Sequence, residues 1–326
     1  MLNSEFRVGD EVAEALAMGR PVVALESTIL SNLGLPSPYN RECLDRCDAA
    51  VRGAGAVPAI TAVLDGCATV GLTEPEIDRV LLGTNKVSAR DVAVAVGLGW
   101  DIGVTTVAAS VMLAARAGIE VFATGGIGGV HRGAELTGDV SADLGALARY
   151  PVVTVTAGAK AFLDLARTVE WFDTLGVPLL GYGTDEFPAF YSRTSGVAVP
   201  HRVETSTEVA SIVGAMRRAG ERGGVVVANP IPESAEIPSR EIDPVIATAL
   251  ADAAAVGVTG PGVTPFVLEA ISVATAGRSI PANLALAEHN AGVAADIAVA
   301  IAAVVAGSGA LAPVALVDGS GAETEG

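Results

Sequence analysis

Short segments rich in β-branched residues alternate with longer segments of helical periodicity along most of the chain. The β-branched segments predict strands at residues 21–25, 56–64, 121–124, 152–156, 178–182 and 225–228. The longer segments predict helices at residues 42–53, 105–118, 161–175, 207–222, 242–256, 264–276 and 282–306. Because strands alternate with helices, we predict an α/β fold with three α-β-α layers around a mixed or parallel central sheet.

Residues 1–306 contain no internal repeat and no Pro/Ser-rich linker, so we expect a single domain there. Residues 307–326 carry few structure-forming signals, and we expect a disordered tail. The apolar stretch at residues 291–307 includes Asp296 and is mostly Ala and Val, which favours a packed helix over a membrane span. The polar N-terminus lacks the apolar core of a secretion signal, so we expect a cytoplasmic protein without membrane contact.

The composition narrows the classes of ligand. Hydrophobic residues make up 51% of the 326 residues and aromatic residues only 4%, which suits helices packed closely on a sheet. A formal net charge of −17 argues against a general nucleic-acid surface, because phosphate backbones require a basic stripe. A small phosphorylated ligand needs only a few cations and backbone N–H groups. Cys43, Cys47 and Cys67 have neither disulfide nor zinc spacing, and we expect reduced, partly buried thiols.

Lysine is rare in this chain: of 20 Lys and Arg residues, only Lys86 and Lys160 are lysines. Neither lies on a predicted exposed helix face. Lys160 follows a predicted strand and the turn AGA (157–159), and we expect it to open a helix whose dipole destabilises the ammonium. A lysine amine can form an imine with a carbonyl, whereas an arginine stays protonated. Lys160 is therefore a candidate nucleophile, with an ordinary surface or capping role as the alternative.

Two further strand ends carry candidate chemistry. Glu26 ends an apolar strand, where partial burial would raise its pKa towards neutrality and suit acid–base catalysis; a capping role is the alternative. The segment TGGIGGVHRG (124–133) follows another strand, and its N–H groups can cradle an oxyanion or approach a flat ligand. It matches neither a dinucleotide-binding loop nor a P-loop. His131 within this segment is a weaker candidate, and we expect the other two histidines to be structural.

The segment DVSAD (139–143) places two carboxylates four residues apart, with a serine between them. Asp139 and Asp143 could bind a hard cation such as Mg²⁺ or Mn²⁺. The alternative is that Ser141 caps a helix and that the two carboxylates serve different purposes.

Taken together, these segments resemble the pseudouridine-5′-phosphate glycosidase family, also called the indigoidine synthase A-like family. The resemblance covers about residues 8–305, and long motifs in one consistent order make it specific. The matching motifs are VALESTI (23–29), GAVPA (55–59), KVSARD (86–91), TTVAA (105–109), FATGGIGGVHRG (122–133), SADL (141–144), AGAK (157–160), FPAFY (187–191), NPIP (229–232), TPF (264–266) and PANLAL (281–286).

The resemblance implies reversible cleavage of the C–C glycosidic bond of pseudouridine 5′-phosphate to uracil and ribose 5-phosphate through a lysine imine. It makes Lys160 the nucleophile and Glu26 the proton donor and acceptor, and it makes Asp139 the anchor of one Mn²⁺ per subunit. It implies a homotrimer. The residues implied to bind the ribose phosphate or to line the pocket are Lys86, Val107, Ser141, Ala142, Asp143, Thr106, Thr124, His131 and Asn283.

Two departures from the family pattern concern the pocket. Many relatives have a histidine shortly after the segment at 26–29, whereas this chain reads SNLGLP (31–36), one residue longer; relatives often have Cys at the position of Thr156. The first change could reshape the pocket for the base, so a C-glycosynthase that attaches ribose 5-phosphate to another aromatic ring is an alternative. An aldolase-type imine-forming lyase would share Lys160 and Glu26 but would require no Mn²⁺. A non-catalytic sugar-phosphate-binding protein is the third alternative.

Overall fold

The computed structural model describes residues 5–258 and 263–307, which form one α/β domain with helices on both sides of a sheet. The strands are β1 (Phe6–Val8), β2 (Val22–Leu25), β3 (Val57–Leu64), β4 (Cys67–Val70), β5 (Lys86–Val87), β6 (Ile102–Thr105), β7 (Val121–Ala123), β8 (Val153–Thr156), β9 (Leu179–Tyr182), β10 (His201–Val203) and β11 (Val225–Ala228). The helices are α1 (Asp10–Ala17), α2 (Tyr39–Gly53), α3 (Glu74–Leu81), α4 (Val92–Gly97), α5 (Val107–Ala117), α6 (Ala134–Thr137), α7 (Ala142–Arg149), α8 (Leu165–Leu175), α9 (Ser206–Arg218), α10 (Ser239–Ala255), α11 (Val263–Ala274) and α12 (Ser279–Gly307).

The central sheet is mixed but mostly parallel. Its strand order is β1-β4-β3-β2-β7-β8-β11-β9-β10, with β6 paired to β3 and β5 paired to β6. Only the pairs β3–β4 and β3–β6 are antiparallel among the described strands. The long strand β3 takes part in both kinds of pairing, because its first half pairs in parallel with β2 and its second half pairs antiparallel with β4 and β6. The predicted mixed or parallel sheet is confirmed.

All six predicted strands form, to within one residue at either end. The seven predicted helices also form, with ends displaced by up to four residues. The elements that the sequence did not indicate are short: the additional strands span two to four residues and the additional helices at most eight. Such short segments contain too little of a helical or strand period to be recognised.

Helices cover the two faces of the sheet. Helix α12 packs against β2, β7 and β8 and also against α2 and α9. Helix α5 packs against β2, β3 and β7 and against α7. Strands β2, β3, β8 and β11 are buried along their whole length, as expected for parallel strands covered on both sides. Small residues dominate these strands and helices, which allows the layers to approach closely.

Helix α12 is long and apolar enough by length and composition to cross a membrane. This is weak evidence, because the core helix of a soluble protein passes the same test, and α12 packs on the sheet as predicted. The predicted tail at residues 307–326 lies outside the described residues except for Gly307, which ends α12. Cys43 and Cys47 are buried on α2, and all three cysteines are free thiols, as expected.

Candidate active site

The site lies where the ends of several strands meet. Glu26 directly follows β2, Thr124 follows β7, and Lys160 lies shortly after β8. Strands β2, β7 and β8 are parallel neighbours, so their carboxyl ends share one edge of the sheet. Lys86 begins β5, and Thr106 follows β6. Residues far apart in the sequence are therefore brought to one place by sheet topology.

Two adjoining cavities occupy this edge. The first has a volume of about 540 Å³, and the second about 400 Å³. They share Glu26, Thr28, Lys86, Gly126 and Lys160 in their walls. Both candidate lysines and the candidate acid therefore stand at the boundary between the two cavities. A single ligand with two chemically different halves could occupy both and present its central bond to these side chains.

Glu26 is a buried carboxyl group with an unusual pKa. Burial raises the pKa of Glu26 from its ordinary value of 4.5 to about 7. The hydroxyl of Thr124 donates a hydrogen bond to the carboxylate and opposes this rise, as do the nearby charges of Lys160 and Lys86. At neutral pH, Glu26 is thus divided between its protonated and ionised forms. Such a group can both give and accept a proton.

Lys160 is partly buried in the loop between β8 and α8. Its backbone N–H donates to the carbonyl of Ile127 at 3.1 Å, which ties this loop to the glycine-rich segment. Gly158 precedes it with a φ of +82°, and a Cβ there would overlap the carbonyl of Pro188. Only glycine therefore allows the chain to take this path and aim Lys160 into the cavities.

The predicted helix start at Lys160 is wrong. Helix α8 begins at Leu165, and its N-cap is Asp164, whose carboxylate accepts from the N–H of Arg167 at 3.0 Å. Asp164 is a strong N-cap residue, whereas the intervening residues continue the loop. The helix dipole that we expected to act on the amine of Lys160 is therefore not located at that residue.

Lys86 also lies at the boundary between the two cavities. Its side chain is exposed by surface area, but the walls of both cavities surround it. Desolvation by these walls and then the charge of Lys160 lower the pKa of Lys86, while Asp143 and Glu26 oppose the change. Since the two ammonium groups repel each other, a bound anion between them would relieve an existing electrostatic cost.

Asp143 lines the first cavity and connects two parts of its wall. Its Oδ1 accepts from the N–H of Ala108 at 2.9 Å, and its Oδ2 accepts from the N–H of Gly128 at 2.8 Å. A Cβ on Gly128 would overlap Ser141 and Asp143, so the glycine is required for this close approach. Asp143 thereby joins the glycine-rich segment to the start of α5. Its carboxylate is bonded to the protein itself.

Two helix N-termini face the first cavity. Thr106 is the N-cap of α5 and Val107 its first residue, while Ser141 is the N-cap of α7 and Ala142 its first residue. The Oγ of Ser141 accepts from the N–H of Asp143 at 3.2 Å, as the capping alternative predicted. The hydroxyl of Thr106 is buried and has no hydrogen-bond partner among the described residues. N–H groups and a free hydroxyl at helix N-termini suit an anion.

Asp139 and His131 also line the first cavity. The Nδ1 of His131 is 3.8 Å from the Oδ2 of Asp139, and the N–H of His131 donates to the carbonyl of Asp139 at 3.0 Å. Burial lowers the pKa of His131, while Asp139 opposes this effect. Within residues 5–258 and 263–307, no three His, Cys, Asp or Glu side chains form a group suited to a metal. The set fits a hard cation held largely by water and ligand oxygens, and it does not fit a closed metal site.

The second cavity is mainly apolar, with Ile29, Leu33, Phe190 and Leu268 in its wall. Asn283 adds a buried amide whose Oδ1 has no hydrogen-bond partner among the described residues. Apolar walls with one unpaired polar group suit a flat ring that carries a complementary donor.

The unusual segment at residues 31–36 forms part of this wall. Asn32, Leu33 and Gly34 line the second cavity, and the Oγ of Ser31 fixes the turn by donating to the carbonyl of Thr28 at 2.9 Å. A Cβ on Gly34 would overlap the backbone of Ile29, so the turn requires glycine. The segment at which we expect a departure from the family pattern therefore lies on the cavity wall.

Every candidate residue from the sequence lies at or next to these two cavities. Thr124 acts through Glu26 and is not itself in a cavity wall. The sequence did not single out Thr28, Phe190 or Leu268, which line the site. Thr28 and Phe190 lie within the matching motifs VALESTI (23–29) and FPAFY (187–191) and could have been inferred, whereas Leu268 lies on α11 outside these motifs.

A larger cavity of about 700 Å³ lies elsewhere, between α1, α2 and α3. It contains neither lysine nor Glu26, and its arginines are ion-paired: Arg7 with Glu76, and Arg52 with Glu11 and Asp48. Size alone therefore does not identify the site, and the chemistry of the side chains points to the two smaller cavities.

Known proteins with similar sequences cover nearly the whole chain. Residues 11–300 match the family described as "Indigoidine synthase A like protein". A protein of Methylobacterium nodulans named pseudouridine-5′-phosphate glycosidase is 52% identical over 295 residues, which are 89% of this chain and 86% of the relative. A protein of Sorangium cellulosum with the same name is 50% identical over 303 residues, or 92% of this chain and 95% of the relative.

A solved structure has the same fold. The crystal structure of the prealnumycin C-glycosynthase AlnA, in complex with ribulose 5-phosphate, superimposes with a TM-score of 0.86 at 39% sequence identity. The match covers 94% of this chain and 99% of that chain. The residues that line the two cavities lie within the range that matches the family. The chain is therefore an enzyme of the indigoidine synthase A-like family.

Proposed function

We propose that this enzyme reversibly cleaves the C–C glycosidic bond of pseudouridine 5′-phosphate to give uracil and ribose 5-phosphate. One observation carries the proposal: Lys160 and Glu26, whose pKa is about 7, share the boundary between an apolar cavity and a cavity lined by two helix N-termini. The substrate has the matching halves, a ribose phosphate and a flat base. The names of the similar proteins support the same reaction.

The phosphate binds in the first cavity. The N-termini of α5 and α7 supply backbone N–H groups, and the hydroxyls of Thr106 and Ser141 add further polar contacts. Lys86 supplies the charge. A phosphate is favoured by both the helix termini and the cation. The bound phosphate also offsets the repulsion between Lys86 and Lys160.

Lys160 acts as the nucleophile. Its amine nitrogen bonds C1′ of the ribose while the bond from C1′ to the ring oxygen breaks, and Glu26 gives its proton to that oxygen. Glu26 then takes a proton from the nitrogen and delivers it to C5 of the uracil ring. The nitrogen electron pair forms the imine as the bond from C1′ to C5 breaks. Water hydrolyses the imine to the open-chain aldehyde and restores the amine.

The paired-carboxylate route of ordinary glycosidases suits this bond poorly, since carbon is a weak leaving group. An imine supplies the electron pair that expels the base carbon, and this role requires an amine. Arginine cannot perform it. The presence of a lysine beside a carboxyl group that is half-ionised at neutral pH thus supports a covalent mechanism over simple hydrolysis.

The uracil ring binds in the second cavity. Ile29, Leu33 and Phe190 provide apolar contact with its faces, and the free Oδ1 of Asn283 accepts from an N–H of the ring. An unpaired buried amide is costly in the free enzyme, so pairing it with the substrate adds both affinity and orientation.

Asp139 is the residue that would hold a Mn²⁺ ion, with His131 beside it. A divalent cation there supplies positive charge next to the sugar-phosphate cavity when it is bound. Since the protein contributes a single carboxylate, we expect weak binding that depends on the ligand. His131 and Asp139 otherwise form part of the cavity wall.

A second candidate function is favoured by the segment at residues 31–36 and by the structural neighbour, a C-glycosynthase. In that reaction the same imine would accept an aromatic carbon nucleophile other than uracil. An aldolase-type lyase is disfavoured, because it gives no reason for an apolar cavity with a free amide beside the lysine.

The test is uracil release from pseudouridine 5′-phosphate, followed by absorbance, with and without a chelator. In parallel, the enzyme is incubated with ribose 5-phosphate and borohydride, and its peptides are mapped by mass. We expect uracil release and a pentose phosphate adduct on Lys160. An adduct without uracil release would favour the second function. Uracil release without an adduct would refute the imine.

We further propose a cytoplasmic homotrimer, as the family resemblance implies. The mass in solution, measured by light scattering after size exclusion, is expected to be three times the 32.6 kDa of the chain. A monomer or dimer at assay concentration would contradict this part of the proposal without affecting the chemistry.

A further inference from the structure

A chain of buried amides lies directly behind the acid–base group. Asn290 is fully buried on α12, two helical turns after Asn283 and therefore on the same side of the helix. Its Nδ2 donates to the carbonyl of Thr124 at 2.8 Å and lies 3.4 Å from the carbonyl of Gly125. The hydroxyl of Thr124 in turn donates to Glu26. The side-chain amide of Asn290 thus links α12 to Thr124, which is the hydrogen-bond partner of Glu26.

The other end of the amide is also fixed. Asn229, which follows β11, donates from its Nδ2 to the Oδ1 of Asn290 at 2.9 Å. The same Nδ2 lies 3.2 Å from the Nδ1 of His289, and the backbone N–H of Asn229 donates to the carbonyl of Thr156 at 2.8 Å. Because its oxygen already accepts from Asn229, the amide of Asn290 must present its NH₂ group to Thr124.

Thr124 is held from both sides. Its N–H donates to the carbonyl of Val155 on β8 at 3.1 Å, and its carbonyl accepts from Asn290. A residue anchored at both its N–H and its carbonyl has little freedom to rotate. These backbone contacts therefore help to keep its hydroxyl directed at Glu26.

We propose that Asn290 is a positioning residue, which holds Thr124 so that its hydroxyl stays on the carboxylate of Glu26. The proposal rests on the proposed function to the extent that Glu26 is the acid–base group. The groups that face Glu26 are Lys160, Lys86 and Asp143 in the site and Cys43 from α2. None of these is hydrogen-bonded to Asn290, so removing Asn290 reaches Glu26 through Thr124, and it also removes the acceptor of Asn229 and the contact with the carbonyl of Gly125.

The direction of the effect follows from the hydrogen bond. Thr124 donates to the ionised form of Glu26 and so lowers the pKa of that carboxyl. If Thr124 is no longer held, the bond weakens and the pKa of Glu26 rises. A net hydrogen bond of ordinary strength corresponds to a rise of about 0.5–1 pH unit.

The experiment compares wild type with Asn290→Ala and Asn290→Leu, and with Thr124→Val as the direct loss of the hydroxyl. Asn40→Ala is the matched control, because Asn40 is also a buried helical asparagine whose Nδ2 donates to a backbone carbonyl, that of Leu81. The titration of Glu26 is followed by ¹³C NMR of glutamate-labelled enzyme, with its signal assigned by its absence in Glu26→Gln.

We expect the Glu26 titration to move up by about 0.5–1 pH unit in both Asn290 variants and in Thr124→Val. The Asn40 control should not change it. With pseudouridine 5′-phosphate, kcat should fall about tenfold in the Asn290 variants while KM stays within about twofold. This split distinguishes misdirected chemistry from lost binding.

An unchanged Glu26 titration in folded Asn290 variants would overturn the inference. Failure of both variants to fold would also overturn it, since Asn290 would then have only a structural role. If wild type releases no uracil, the proposed function fails, but the NMR titration still decides whether Asn290 acts on Glu26. The two failures are therefore distinguishable.

Discussion

Replacing Glu26 with Gln should abolish turnover and at the same time stabilise the protein at alkaline pH. Burial raises the pKa of Glu26 from 4.5 to about 7, so the folded protein holds the proton more tightly than the unfolded chain. Below pH 4.5 the carboxyl is protonated in both states and burial of its charge costs nothing. Between pH 4.5 and about 7 the unfolded chain releases this proton while the folded protein retains it, so stability falls over that interval and the loss is complete above about pH 7.

The magnitude follows from the pKa difference. The interval from 4.5 to about 7 corresponds to about 3 kcal/mol, at about 1.4 kcal/mol per pH unit. Because Glu26 is only 8% exposed, solvent screens little of this energy. Gln has nearly the same shape as Glu and no charge. The free energy of unfolding of Glu26→Gln, taken relative to that of wild type, should therefore be about 3 kcal/mol higher at pH 8.5 than at pH 4.5.

The assay is urea unfolding of wild type and Glu26→Gln at both pH values, with the free energy of unfolding taken from the linear dependence on denaturant. All other titrating groups are shared by the two proteins, so the difference isolates Glu26. An equal difference at both pH values would show that Glu26 titrates as in an unfolded chain. The raised pKa, and the acid–base role derived from it, would then be refuted.

Three further predictions concern the remaining site residues. Lys160→Arg keeps the charge but cannot form an imine, and it should reduce kcat at least about 10³-fold with ribose 5-phosphate binding retained, as measured by calorimetry. Lys86→Met should raise KM for pseudouridine 5′-phosphate about tenfold or more, with a smaller change in kcat; an unchanged KM would remove Lys86 from the phosphate site. Asp139→Asn should weaken Mn²⁺ binding in the presence of ribose 5-phosphate, as measured by electron paramagnetic resonance, whereas unaltered binding would place the ion elsewhere.

The sheet was predictable because its central strands are buried on both faces. The residues of β2 and β11 are all apolar and those of β8 alternate between Val and Thr, and all three strands are buried along their whole length, as expected for parallel strands covered on both faces. The outer strands β1, β5 and β10 span only two or three residues. Their pairing depends on neighbours that the local sequence does not specify.

The candidate residues were identifiable for different reasons. Lys160 and Glu26 could be identified because each is a reactive residue type near the end of a predicted strand, and the structure brings both to the same cavities. The helix expected at Lys160 failed because its cap, Asp164, lies further along and offers the stronger N-terminal signal. Periodicity alone could not separate the loop from the helix, since residues 161–163 are also apolar or small.

Contacts that depend on tertiary structure could not be predicted. Asp143 was a possible metal ligand by composition, but both of its oxygens accept from backbone N–H groups. Asn290 lies in a helix without any motif that points to Glu26, and its partner Thr124 is 166 positions away in the sequence. Contacts of this kind between distant residues can be recognised only from the tertiary structure.

The position of α12 affects how the enzyme matures. Because Asn283 and Asn290 belong to α12, the last of the described helices, the strands and loops synthesised earlier cannot complete the base cavity or fix Thr124 without it. Chain segments emerge from the ribosome in order, and a contact across 166 positions is among the last to form. A nascent chain can thus collapse around its sheet and still remain inactive until α12 docks.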